Sequence, residues 1–289
     1  MNSGCSDHSP IAINFEDAPG RGHRPFRFLN CLSDHPNFIQ LVREAWSIPD
    51  HNHSMYKIWA RLKNVKQDMK QLNIKEFSGI ENKIINLRGH LDEIQARMRD
   101  LGHTYDLFKE EKELKLQLEK WSLIEEGIAR QKSMIQWLNT GDSNTKFFYA
   151  SMKGRHVQNQ IRRIVNVEGI LLNSETDFEH EITDFFRKLL GTAATYLPAI
   201  DPRVLKLGHR LTRQQQLDLI APVTKQEVYD ALNEVDDNKA LGVDGFNAVF
   251  FKKAWSVVGD DITQAILGFF ESANMCKPLN CTSVTLIPK

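Results

Sequence analysis

Cysteine is scarce in these 289 residues: the four present, Cys5, Cys31, Cys276 and Cys281, form no C-x2-C pair, and no histidine pair stands at finger-like distance from them. A structural zinc site is therefore not expected, and so sparse a set fits a reducing, intracellular compartment better than a disulfide-stapled secreted domain. Long apolar runs are missing too. With no stretch of about 18 apolar residues, and with a beginning that is polar and acidic, the sequence predicts neither a membrane span nor a secretory signal. Nor does one charge prevail, since 37 Lys plus Arg stand against 37 Asp plus Glu. No whole-molecule field draws this chain to nucleic acid, so any attraction to phosphate has to be local. A dense Lys/Arg run of the nuclear-localisation kind is absent as well.

What is there is mostly helical periodicity, on a 41% apolar composition that can supply a core. Phe38, Leu41, Val42, Ala45 and Trp46 recur at steps of three and four, which predicts a short helix ending before Pro49. Tyr56, Trp59, Leu62, Val65, Met69 and Leu72 make the stripe of a second. The strongest pattern follows, with Ile80, Ile84, Leu87, Leu91, Ile94, Met98 and Leu101 at alternating steps of four and three, Tyr105 and Phe108 continuing it, and Leu114, Leu118 and Trp121 resuming it in shifted phase after Gly102 and His103. Such a seam packs either as an antiparallel hairpin within the chain or as a coiled coil between two copies through residues 80–108.

Farther on, basic and aromatic side chains are interleaved: Trp137, Lys146, Phe147, Lys153, Arg155, Arg162 and Arg163. That mixture can follow a phosphate backbone while rings offer stacking surfaces, which makes these residues, with Lys289, the candidates for contact with RNA or DNA. The alternative is a capped helix start at Asp142 or Ser143 whose aromatics, Phe147, Phe148 and Tyr149, are core. β-Branched residues around Glu168 and Gly169 predict a hairpin. Phe178, Ile182, Phe185, Phe186 and Leu189 predict an amphipathic helix over 175–190. Thr224 three residues before Glu227 is a capping box, so another helix is expected over 225–235.

Residues 239–255, Lys-Ala-Leu-Gly-Val-Asp-Gly-Phe and the run to Trp255, resemble the K-[AS]-P-G-x-D-G-[FIL] segment that opens the reverse transcriptases of non-LTR retrotransposons, with Leu241 in place of the usual proline. An apolar helix through Ile262, Ile266, Leu267, Phe269 and Phe270, and a strand ending in Leu286-Ile287-Pro288-Lys289, follow in the order found in that family. Near the other end, Ser6-Asp7-His8-Ser9-Pro10 resembles the closing S-D-H-x-P motif of the apurinic-type endonuclease that precedes the polymerase in such elements. Pro25 through Trp46 and Gly141 through Phe148 resemble the linker between the two in plant LINE-type members.

The resemblance implies four segments: the residual end of an endonuclease (1–30), a helical linker with the heptad seam (31–135), a small mixed α+β basic and aromatic region (136–200), and the truncated start of a reverse transcriptase (201–289). The fold class expected is mainly α with a small α/β region, built from a long helical hairpin, a small mixed region and an incomplete fingers segment. By the same resemblance His8 corresponds to a general base or phosphate-side stabiliser and Asp7 to the carboxylate that orients it, a pair without the rest of its site. The family activity is RNA-directed DNA polymerisation with Mg2+, but no [FY]-A-D-D sequence supplies polymerase carboxylates here. This chain is expected to hold no cofactor or metal, to act on no small-molecule substrate, to touch no membrane and to lack catalysis of its own. Nuclear work follows only from the family's chromosomal target. Gly242 and Gly245 are expected at positive φ, with Asp244 capping the next helix, while Asp236–Asp237 and Asp260–Asp261 are expected at a helix end and a helix start. Two other functions remain open, a nucleic-acid-binding linker module and a helical dimerisation protein.

Overall fold

In a computed structural model of the chain, residues 25–47, 54–99, 105–133, 145–159, 161, 163–191, 199, 201–205 and 208–281 are described. The fold is mainly α with one small two-stranded sheet. After a 3-10 turn at Asn30–Asp34 come α1 (Phe38–Trp46), α2 (Ser54–Phe77), α3 (Ile80–Arg97), α4 (Tyr105–Ser133) and α5 (Thr145–Gln158). The hairpin of β1 (Ile164–Val165) and β2 (Leu171–Leu172) leads to α6 (Glu175–Gly191), the short α7 (Pro202–Leu205) and α8 (Arg213–Leu219), then α9 (Lys225–Glu234) and α10 (Ala248–Ser272). The Leu286–Lys289 strand end lies outside the described residues.

The seam resolves into two antiparallel helices. Gln95 of α3 donates to Glu111 of α4 at 3.0 Å, and the Lys83 ammonium lies 4.3 Å from the Trp121 ring centroid, so the chain climbs one helix and descends the other. Ile80, Ile84 and Ile94 are buried on this face, with Leu107 and Ile128 buried on α4. Tyr105 and Phe108, which continue the spacing on paper, point outward at 84% and 48% exposure. The stripe of α4 starts instead at Leu107, since the turn between the helices resets the phase. The described part of the seam thus packs α3 against α4 of the same chain.

Sequence-distant pieces share one core. Phe28, Leu32, Phe38, Val42 and Trp46 from the first described segment pack with Ile58, Val65 and Met69 of α2 and with Phe246, Phe250, Ala254 and Val258 at the start of α10. The rings of Phe28, Phe38, Phe246 and Phe250 lie 4.3–6.0 Å apart by centroid, mostly tilted or edge-on, as their quadrupoles favour. Each such ring taken fully from water contributes about 2–3 kcal/mol. This cluster seats the motif loop against residues more than two hundred positions earlier.

α10 corrects the sequence expectation at its start. It begins at Ala248, capped by Asn247, whose side chain accepts from the Phe250 amide at 3.2 Å. Asp260 and Asp261 therefore stand in mid-helix. Asp261 accepts from the Trp46 indole at 2.8 Å, from Lys57 at 3.0 Å and from Arg61, tying α10 to α1 and α2. Other local signals appear where the residues put them, a capping box at Thr224 and a β-turn with Gly169 at φ +80°, and the structure adds a second capping box at Thr212.

Candidate nucleic-acid interface

The loop from Lys239 to Asn247 is closed on itself. Gly242 N–H donates to Phe246 O at 3.0 Å, Gly245 N–H to Gly242 O at 2.9 Å, and Phe246 N–H to the Asp244 carboxylate at 3.1 Å. Asp244 thus braces the loop, and the cap of the following helix is Asn247, because the helix starts three residues later than an Asp244 cap requires. Burial raises the Asp244 carboxyl above the usual carboxylate range, against the pull of the Phe246 N–H and of the Lys66 charge. Gly245 is at φ +88°, and a side chain there would meet Phe26 O at 2.3 Å. Gly242 has no positive φ; it is small because Asp244 Oδ1 sits 2.6 Å from where a Cβ would be.

The loop is then bonded into the helical part of the chain. Phe28 N–H donates to Gly245 O at 2.8 Å, and Asn247 donates to the Asn30 side chain at 2.7 Å. From the opposite side, the Gln131 amide at the end of α4 donates to Phe28 O at 2.8 Å and accepts from Asn30 N–H at 2.9 Å. Lys66 of α2 donates to Asp244 O at 3.4 Å. α2 and the 26–30 segment hold these nine residues directly, and α4 holds the 28–30 segment that carries them.

Two clefts flank this loop. One, of about 310 Å³, is lined by Arg27, Arg130, Lys132 and Lys239, with Asp237 as its acid. Arg130 pairs with Glu126 at 2.6 Å and Asp237 with Lys252 at 2.7 Å. Arg27, Lys132 and Lys239 make no ion pair among the described residues. The other cleft, of about 480 Å³, lies between Trp59, Lys63 and Lys66 of α2 and Val243 and Asp244 of the loop. There the Lys63 ammonium sits 3.7 Å from the Trp59 centroid and that of Lys66 lies 5.5 Å from the Phe26 ring. Cations on both sides of one loop, with rings on one of them, suit an extended polyanion carrying flat bases.

The candidates read from sequence fare unevenly. Gly242, Asp244 and Gly245 come together in the loop. Lys153, Arg155 and Arg163 are exposed but line neither cleft. Asp7, His8, Trp137, Arg162 and Lys289 lie outside the described residues, as do the side chains of Lys146 and Phe147. Phe148 is buried, and Tyr149 leans against Glu81 and Glu125, its phenol raised by burial and by those two carboxylates. Sequence reasoning missed Arg27, Lys63, Lys66, Arg130 and Lys132 as site residues because they are scattered singly, and it read Trp59 only as part of the apolar stripe of α2. Only Lys239 carried a signal, as the first residue of the motif. Among the described residues no group of three or more His, Cys, Asp or Glu is placed to hold a metal, and no helix is long and apolar enough to cross a membrane.

No protein-family profile matches the chain. It is similar to a Xenopus laevis protein named "Transposon TX1 uncharacterized 149 kDa protein", 24% identical over 302 residues that take in 98% of this chain. The chain is related to a transposon protein. It spans 22% of that relative's length. A resemblance carried by short motifs at the two ends and a similarity running through nearly the whole chain thus point to the same kind of element.

Proposed function

We propose that this transposon-related chain is the linker and first fingers segment of a LINE-type, plant-like non-LTR retrotransposon polyprotein, and that it binds single-stranded nucleic acid along the 239–247 loop. The observation that carries this is the pair of cation-bearing clefts on either side of a loop that is hydrogen-bonded to α2 and to the 26–30 segment, which α4 braces in turn. The side chains Arg27, Lys132 and Lys239 meet phosphates, while Trp59 with Lys63 offers a ring and a cation to a base. The loop's own contribution is stiffness: Gly245 and Asp244 fix it, so the flanking charges are held in place before the ligand arrives.

In this proposal the chain contributes binding and positioning to RNA-directed DNA polymerisation by the whole polyprotein, whose nuclear work and Mg2+ dependence belong to the same reading. By itself it incorporates no nucleotide. Template-dependent dNTP incorporation by the purified chain, abolished by chelation of Mg2+, would refute that part. Charge reversal at Lys132 and Lys239 tests the binding part: affinity for a single-stranded RNA oligonucleotide falls and its salt dependence flattens by about one unit of slope per residue.

A further inference from the structure

Among the described residues two apolar surfaces lack a partner, and they match. The first is α6. Phe178, Ile182, Phe185, Phe186 and Leu189 fall on one stripe of its seventeen residues, yet none of its residues is buried, and Phe185 and Leu189 are 52% and 59% exposed. The helix is well started, since Ser174 Oγ accepts from Asp177 N–H at 3.2 Å. A helix of this length gains little from propensity alone and is normally held by burial of its apolar face.

The second is the groove between α9 and α10, of about 560 Å³ and lined by Val228, Leu232, Trp255, Ile262, Ile266 and Phe270. Its floor depends on Gly259: the Trp255 ring lies back along α10 over that residue, where a Cβ would meet the ring at 2.7 Å. Tyr229 of α9 meets the same ring at 5.7 Å and helps to fix it. From Trp255 to Phe270 the groove runs about 22 Å along α10, and α6 is about 25 Å long.

We infer that α6 docks its Phe178–Leu189 stripe into the α9–α10 groove of its own chain, as an amphipathic helix laid in an apolar groove with anchors at i, i+4, i+7 and i+11. The connecting residues 192–224 reach it easily, at about 3.3 Å per extended residue, and hold α6 at high local concentration. α8 is another helix without buried residues on that connection, but it carries only Leu217 and Leu219 as apolar side chains, and its seven residues span about 10 Å and cover less than half the groove. Docking fixes the β1–β2 hairpin, which α6 follows directly, onto the helix that leads out of the 239–247 loop. The inference is independent of nucleic-acid binding.

Hydrogen exchange of the full chain tests it. Amides of residues 175–191 exchange slowly in the parent protein, and Ile266→Glu in the groove speeds them about tenfold or more while α2, α3 and α4 keep their protection. If Ile266→Glu also loosens α2, Phe185→Glu provides the reciprocal test and speeds exchange in α9 instead. Unprotected α6 amides in the parent, or α6 protection that the groove variant leaves unchanged, overturns the inference. Protection of α6 that fades on dilution also overturns it, because the groove is then filled by the α6 of a second copy.

Discussion

Alanine at four glycines separates backbone strain from crowding, with opposite signs expected within one series. At Gly245 both act. The φ of +88° costs an L-residue about 1–2 kcal/mol. The new Cβ also lands 2.3 Å from the Phe26 carbonyl oxygen, which belongs to backbone and cannot swing aside. Moving the 26–28 segment away sacrifices the Phe28 N–H to Gly245 O bond, worth about 1 kcal/mol, and part of the packing of Phe26 and Phe28. Gly245→Ala should therefore cost about 3–4 kcal/mol, a large share of a typical 5–15. At Gly169 the φ of +80° has the strain without the crowding, in an exposed hairpin, so the loss is the strain alone, about 1–2 kcal/mol. Gly242→Ala meets only the end of the Asp244 side chain and costs about 1 kcal/mol through the lost brace to Phe246. Gly89, in the middle of α3 with nothing near its Cβ position, should gain about 0.5–1 kcal/mol as alanine. Urea unfolding followed by helical circular dichroism reads all four on one scale. A Gly245→Ala loss no larger than that of Gly169→Ala would refute the close approach of Phe26 to the loop.

Three further outcomes follow from particular contacts. Burial raises the Asp261 carboxyl, but its hydrogen bonds to Lys57 and Trp46 and the Arg61 charge outweigh that and lower it on balance. The folded-state value being depressed, its contribution is complete above the ordinary carboxylate range and disappears as pH falls. Asp261→Asn should thus cost about 2 kcal/mol at neutral pH, with the gap to the parent closing below about pH 4. A gap that stays constant through acid titration would contradict the ion-pair hub. Gln131→Leu leaves Phe28 O and Asn30 N–H without their side-chain partner and should cost about 1–2 kcal/mol in the same urea assay. Burial and then the Asp34 charge push the Cys31 thiol up to about 12, so at pH 8 in native protein Cys31 is alkylated far more slowly than exposed Cys281. Peptide mass spectrometry reads the ratio, and equal rates would count against the packing of the 28–32 segment.

Local signals in the sequence carried most of the helices. The capping box at Thr224, the seam of α3, the stripe of α6 and the hairpin at Gly169 each depend on residues a few positions apart, so spacing alone reveals them. What spacing cannot show is pairing across long intervals. Asp261 resembles a solvated helix-start acid until Trp46, Lys57 and Arg61 are brought to it from some two hundred residues away. Tyr105 and Phe108 continue the heptad count, but a turn before them resets the phase. The loop's glycines were legible as a motif, whereas Arg27, Lys63 and Lys132 were not. They are single cations on polar faces, and only the fold gathers them around Lys239.

The most direct test of nucleic-acid binding by the 239–247 loop is fluorescence anisotropy of a labelled single-stranded RNA oligonucleotide, titrated with the full chain at several salt concentrations. The parent, Arg27→Glu/Lys132→Glu/Lys239→Glu, and a control reversal at Lys153 and Arg155 would be compared. Binding that weakens steeply with salt in the parent and the control, and is lost in the triple variant with circular dichroism unchanged, is the expected result. Equal binding by the parent and the triple variant, or loss in the Lys153 and Arg155 control alone, would contradict the assignment of the loop and its clefts.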